Sequence, residues 1–482
     1  MTRENLLIDG KRIPALSGHA SKVFNPATGE IIAEVADSSS EDVDNAVQSA
    51  RRAFTSGPWR NLNTRDRTRL LLNLAQLIRE KAEELADLET QNVGKPIREA
   101  RDEVNLAADC FEYYAGAINK VGGQTIPVAA PGVCMTFREP IGVCGLILPW
   151  NFPIVIASWK IAPALAMANT VVVKPAEQTP LTALCLGELA LEAGIPAGVL
   201  NVVPGRGEVA GEALVKHPLV RKISFTGSTE VGRKVMKLAA EDIKRVTLEL
   251  GGKSANIVFA DADFEKALPG VVWSVLGNAG QDCCARSRLL LEKSIYDKSV
   301  SKLAELFKQV RLGNPGNEDT EMGSLISQEQ HEIVLNYVEL GKNEGASLIC
   351  GGEPPAGEEF KKGSFLKPTL FTDVKPEMRI AREEIFGPVL CAIPFENEEE
   401  AIAIANKSTY GLSGSIWTKD IERALRVARA IETGVISINS GHSVHLEAPF
   451  GGVKQSGVGR ELGLAALEHD SELKSVFIHT GC

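Results

Sequence analysis

Between Gly142 and Leu250 short β-rich runs alternate with helical ones, and this alternation restricts the fold more than any other feature of the chain. Strands are expected over 143–148, 170–173, 199–203, 223–226 and 246–250. Between them, one helix opens at Thr179-Pro180 and is stopped by Gly194, and another spans 229–240. Such a pattern makes an α/β fold, a parallel sheet covered on both faces, which binds ligands beyond the carboxyl ends of its strands. Four polar or glycine-rich groups fall at those ends: Trp150-Asn151, Lys174-Pro175-Ala176-Glu177, Gly227-Ser228 and Glu249. The first third of the chain reads as helical, over 41–54 with Ser40 as cap, over 67–91 with Leu71, Leu74, Ile78, Leu85 and Leu88 near helical spacing, and over 97–118. After Ser254 a second alternation begins, with strands over 257–260, 287–291, 390–394 and 435–439 and a helix over 421–431. It reads as a second α/β domain.

A chain of 482 residues is too long for a single core, which suits this division. The net charge of −10 argues against a nucleic-acid surface. Nine cysteines are scattered without zinc-ligand spacing or a disulfide rhythm, which favours a reducing, cytoplasmic setting. The start carries no secretory signal pattern. The longest apolar stretch, 143–157, is short for a membrane span and is interrupted by Pro149, Asn151 and Pro153, so it is read as buried.

Chemistry concentrates at Gly280-Gln281-Asp282-Cys283-Cys284-Ala285-Arg286, where small residues flank two adjacent thiols. A reactive thiol needs access and a lowered pKa, and small neighbours supply the access. Spacing alone does not separate Cys283 from Cys284. The carboxylate of Glu249, at the end of a strand-like run, is a sensible base for a thiol nucleophile. Its bland reading is a strand-end carboxylate paired with a lysine such as Lys253. No histidine lies close in sequence to Cys283, so a Cys-His hydrolase has little support, and His442, His445 and Glu447 make a poor metal site. No metal is expected. The run 205–211 has one residue too many for a dinucleotide glycine loop and reads better as a tight strand-to-helix turn. The run 225–232 opens a helix where phosphate could sit, although a cap by Ser228 or Thr229 is expected in either case.

Assembled, these stretches resemble the NAD(P)-dependent aldehyde dehydrogenase superfamily over essentially the whole chain. The likeness is carried by Pro149-Trp150-Asn151-Phe152-Pro153, Lys174-Pro175-Ala176-Glu177, Leu248-Glu249-Leu250-Gly251-Gly252-Lys253, Gly280-Gln281-Asp282-Cys283 and Glu384-Ile385-Phe386-Gly387-Pro388. The resemblance implies that Cys283 is the nucleophile, Glu249 the hydrolytic base, and the Asn151 amide an oxyanion donor together with the Cys283 N–H. Lys174 belongs to both the catalytic and the cofactor sets. Lys174 and Glu177 would hold the adenosine ribose, Trp150, Gly227 and Ser228 the pyrophosphate end, and Glu384 the nicotinamide ribose with Phe386 nearby. A carboxylate at Glu177 favours NAD over NADP. Family members that pass the acyl group to coenzyme A usually lack the Glu249 counterpart, so hydrolysis to the acid is implied.

The implied substrate tunnel is lined by Phe152, Ile156, Trp159 and Val444, with Asp282 near the thiol. Neutral or apolar aldehydes fit this wall. Asp282 either favours a cationic aldehyde or caps a turn, and the turn is slightly preferred; Asp282 and Trp159 together motivate the narrower reading of a betaine- or amino-aldehyde enzyme. The resemblance also implies a Rossmann-like cofactor domain (1–121 and 141–251), a catalytic domain (252–455), a return to the first domain (456–469) and a small β oligomerisation module (122–140 and 470–482). A homodimer or homotetramer follows from the exposed strand edges of that module. No nucleic-acid or membrane partner is expected. A non-catalytic descendant and a thiol esterase are the rival classes.

Overall fold

The computed structural model describes residues 2–481; Met1 and Cys482, one of the nine cysteines, lie outside the described residues. Five parallel strands form the middle of an eight-stranded sheet, in spatial order Arg245–Glu249, Val220–Thr226, Val143–Ile147, Thr170–Lys174 and Leu200–Val202. From Val143–Ile147 the chain first builds outward on one side, then returns to the other side with Val220–Thr226. Connections diverge at this strand, and a crevice opens beyond its carboxyl end. Antiparallel strands finish both edges: Gly457–Val458 beside Arg245–Glu249, and Leu6–Ile8 with Lys11–Ile13 beside Leu200–Val202.

Both faces of this sheet are buried, which explains its unbroken apolar strands. Cys144, Leu146, Val171 and Val173 join a core with the helices Thr64–Glu80, Ile97–Ala117, Pro153–Ala166 and Leu181–Glu192. Their neighbours Val143, Ile147 and Val172 point the other way, into a core with Ser40–Thr55 and Thr229–Ala240. A second sheet of seven strands is parallel except for its edge strand Ser347–Cys350, and it has its own core. Arg288–Glu292 and Ala255–Val258 lie near its middle. A third, antiparallel sheet joins Ser471–His479, Gly132–Pro140 and Thr125–Ile126.

Several expectations need correcting. The first helix is capped by Ser39, not Ser40: the Ser39 hydroxyl accepts from the Asp42 amide, and the Asp42 carboxylate accepts from the Ser39 amide, a reciprocal capping box. The 67–91 helix is two helices, Thr64–Glu80 and Ala82–Val93, broken at Lys81. Buried Leu71, Leu74, Ile78 and Leu85 share one core across that break, so the apolar spacing hides it. Short strands, among them Ala20–Phe24 and Ile31–Ala36, precede the first helix, so the first third is not wholly helical. The apolar stretch 143–157 is a strand, a turn at Pro149–Phe152, and the start of the buried helix Pro153–Ala166 with Pro153 in its first turn. No helix among the described residues is long and apolar enough to cross a membrane.

Candidate active site

The chain approaches Cys283 through Asn278, Ala279 and Gly280, which have positive φ angles of 47°, 54° and 74°. A Cβ on Gly280 would stand 2.2 Å from the Gly387 carbonyl oxygen, so only glycine fits. The Asn278 side-chain amide donates to the Asn151 and Gln281 carbonyls, at 2.9 and 3.3 Å. Buried Gln281 accepts from the amide of buried Ile326 at 2.8 Å, which ties the turn to the segment ahead of the helix Gln328–Asn343. The result presents Cys283, half-buried, to two cavities, while Cys284 is buried. Access is therefore as expected, but the pKa is not lowered. A hydrogen bond with the Cys284 thiol, then burial and the nearby Asp282 and Glu384 carboxylates, push the Cys283 thiol well up. The free thiol is held protonated.

Asn151 is bound to the nucleophile turn twice. Its Nδ2 donates to the Gln281 carbonyl at 2.8 Å, and its own carbonyl accepts from Asn278 and from Lys95 Nζ at 3.0 Å. Lys95 is wholly buried, pairs with Glu103 at 2.5 and 2.6 Å, and lies 4.5 Å over the Phe152 ring. Sequence reading did not find Lys95 or Glu103, because a lone lysine ahead of a helix carries no periodic signal.

Glu249 ends its strand 3% exposed, and neither of its carboxylate oxygens has a hydrogen-bond partner. Burial, then the Glu461 carboxylate, push its carboxyl well above the usual range, with Lys160 and Arg460 opposing. Buried Lys160 bonds Glu461 and also donates to the Ser224 hydroxyl at 2.9 Å. The space around Glu249 is set by Gly451, where a Cβ would come within 2.5 Å of its Oε1. Lys253, the suggested partner, has a buried Nζ without any hydrogen bond, and burial lowers it to about 8. The structure therefore leaves no Glu249–Lys253 pair.

The larger cavity, of about 590 Å³, lies beyond the sheet's carboxyl ends, and all of Trp150, Lys174, Glu177, Gly227, Ser228, Glu384 and Phe386 line it with Cys283 and Glu249. Glu177 accepts from the Gly207 amide at 2.8 Å, and burial lowers the Lys174 ammonium. The 205–211 run makes a wide turn, Gly207–Gly211, into the short helix Glu212–Lys216. Ser228 caps its helix through the Val231 amide. At the far end Glu384 accepts from the Gly252 amide at 2.9 Å, and burial raises it to about 7. A Cβ on Gly251 would sit 2.2 Å from Glu384 Oε2. The Trp150 and Phe386 rings meet edge-on at 5.1 Å.

The smaller cavity, about 290 Å³, contains every expected tunnel residue, Phe152, Ile156, Trp159, Asp282 and Val444, and shares Cys283 and Glu249 with the larger one. It adds Leu106, Trp273, Phe450 and Glu103, which come from remote parts of the chain. Trp159 and Phe450 pack edge-on at 5.2 Å. Asp282 caps the nucleophile turn, accepting from the Cys284 amide at 2.8 Å. His442 lines the tunnel with its ring 5.5 Å from that of His445. The ligand-type atoms of Asp282, Cys283 and Cys284 lie within 4.8 Å of one another.

Known proteins share this sequence pattern and fold. The profile of the aldehyde dehydrogenase family matches residues 14–476. The DhaS protein of Bacillus subtilis (strain 168) is 49% identical over 99% of this chain and 96% of its own length. The betaine aldehyde dehydrogenase of the same organism is 45% identical over 99% and 98%. The NAD+ complex of an aldehyde dehydrogenase from Bacillus cereus superposes with a TM-score of 0.97 at 46% identity, covering 99% of this chain and 97% of that one. The chain belongs to the aldehyde dehydrogenase family.

Proposed function

We propose that this chain oxidises a neutral, apolar aldehyde to its carboxylic acid, using NAD in preference to NADP and releasing the acid by hydrolysis. One observation carries the reading: Cys283 and Glu249 both stand where a dinucleotide-sized cavity meets an aromatic tunnel. The Cys283 thiol, giving up its proton to water in the cavity, adds to the aldehyde carbon; the Asn151 amide with the Cys283 N–H stabilises the oxyanion, and loss of the aldehyde hydrogen as hydride leaves a thioester on Cys283. Bound NAD would supply the hydride acceptor, held by Lys174 and Glu177 at one ribose, Glu384 at the other, and Trp150, Gly227, Ser228 and Phe386 between. Glu249 then takes a proton from water, whose oxygen attacks the thioester carbon and frees the thiol.

The tunnel wall supports a neutral substrate. Phe152, Trp159, Trp273, Val444 and Phe450 are apolar, the Glu103 carboxylate is neutralised by Lys95, and the Asp282 carboxylate is engaged by the turn. The betaine- or amino-aldehyde reading rested on Asp282 and Trp159, and it has less behind it because Asp282 is engaged by the turn and the Trp159 ring packs against Phe450. The chain's division into cofactor domain, catalytic domain and oligomerisation module is part of the same reading. The small sheet exposes Val133, Phe137 and Ile478 on one face and Leu473 and Phe477 on the other, which supports a dimer or tetramer covering it. Free thiols at the described cysteines suit a reducing, cytoplasmic setting.

The test is absorbance at 340 nm with purified protein, NAD or NADP, and propanal, hexanal, benzaldehyde, betaine aldehyde and succinic semialdehyde, without coenzyme A. Turnover with NAD, fastest on the apolar aldehydes, is expected. Preference for betaine aldehyde would reverse the substrate reading, and a folded protein without turnover on any aldehyde would count for a non-catalytic member.

A further inference from the structure

At the end of the large cavity where Glu177 accepts from the Gly207 amide, the preceding residue is turned away. Arg206 donates to the Asp37 carboxylate through both its backbone N–H, at 3.2 Å, and its Nε, at 3.0 Å. Asp37 is fixed in place: its amide donates to the His19 carbonyl at 3.0 Å, and the next amide, of Ser38, donates to the Pro204 carbonyl at 2.9 Å. The Asp37 side chain is 10% exposed and that of Arg206 50%, so the acid is the rigid partner and the guanidinium the one able to move. Glu177, Glu208 and Lys174 line this end of the cavity, and Asp37, just outside the lining, also raises the Lys174 cation. Beside Gly207 there is open space, with no atom within 4 Å of where a Cβ would stand.

We propose that the Asp37–Arg206 pair is a determinant of cofactor selectivity, in which Asp37 keeps the guanidinium from a dinucleotide's ribose edge and so withholds a receptor for a 2′-phosphate. The inference rests on the reading of this cavity as a dinucleotide site. Arg206 and Gly207 are adjacent, their Cα atoms about 3.8 Å apart, so a rotated Arg206 side chain reaches the carboxylate that Gly207 touches. A guanidinium is the group best shaped to receive a phosphate through paired N–H donors. With Asp37 in place that fork is occupied, and the phosphate meets the Glu177 carboxylate instead. Selectivity for a free 2′-hydroxyl thus has two parts: repulsion by Glu177 and retention of Arg206 by Asp37.

The experiment measures kcat/KM for NAD and for NADP, with one aldehyde, in the full-length protein and in Asp37→Asn, Arg206→Met and the double variant. Asp37→Asn is expected to raise the NADP/NAD ratio about tenfold, the size of one charge-assisted hydrogen bond, and adding Arg206→Met should return it to the Arg206→Met value. An unchanged ratio in Asp37→Asn overturns the proposal. So does a rise that persists in the double variant, since loss of a repelling charge then explains it without Arg206. If Asp37→Asn does not fold, Glu177→Gln provides a second route: with Asp37 still holding the guanidinium, its gain in NADP use should persist on adding Arg206→Met, and a gain lost on that addition overturns the proposal. Wild-type protein with no turnover on either dinucleotide would remove the cavity reading itself, a separate outcome from an NAD enzyme whose ratio ignores Asp37.

Discussion

In the proposed mechanism Cys283 and Glu249 must both lose a proton to react, and both are held neutral, Cys283 by the neighbouring Cys284 thiol and burial and Glu249 by burial and the Glu461 carboxylate. Raised pKa values mean that the reactive anions form only above each group's ordinary range, so kcat/KM, through Cys283, and kcat, through Glu249, should climb from neutral into alkaline pH. Initial rates from about pH 6 to 10 check the sign. Glu461→Gln removes a like charge beside Glu249 and leaves Lys160 cationic, so the ionisation assigned to Glu249 should move to lower pH. Glu249→Gln should keep the first hydride burst while steady-state kcat falls about 100-fold or more, with a thioester on Cys283 visible by mass spectrometry. An unchanged steady state would remove its role as base. Cys283, Glu249 and Asn151 were legible because each ends a strand or sits in a turn with a distinctive local sequence. Lys160 and Glu461, 301 residues apart, were not, because only the folded chain brings them together.

At the scale of elements, the Lys95–Glu103 pair ties the helix Ile97–Ala117 to the turn bearing Asn151. Lys95→Met strands a buried carboxylate and should cost about 3–5 kcal/mol of stability, measured by denaturant unfolding. Adding Glu103→Gln should recover part of that loss, but not the kcat lost when the Asn151 carbonyl gives up a donor. Retention of full kcat in the double variant would show that Lys95 does not position Asn151. The alternation of strands and helices was legible because β-rich runs buried on both faces stand out against amphipathic helices. Strands such as Leu6–Ile8 and Lys11–Ile13 were not, since three residues are too few to display a period.

For the whole molecule, the small sheet is the feature that a single chain leaves unfinished. Apolar side chains stand exposed on both its faces, which a soluble monomer rarely tolerates. Phe137→Glu together with Leu473→Glu should shift the protein to a smaller species in light scattering, with far-ultraviolet circular dichroism unchanged. An unaltered mass would count against the dimer or tetramer proposed on this sheet. The sequence marks these strands but carries no record of which partner covers them.

The first sheet's catalytic edge is completed from far along the chain. Gly457–Val458 pairs with Leu248–Glu249, and the Ser456 hydroxyl reaches the Gly251 carbonyl across 205 residues. Phe450, Gly451 and Glu461 then close the surroundings of Glu249. During synthesis the amino-terminal part emerges first and can begin to fold, yet the base has no proper enclosure until the whole second sheet has been translated. A ribosome stalled before this segment would therefore carry a chain able to form most of the parallel sheet and unable to hydrolyse a thioester. Chemistry waits for the end of translation.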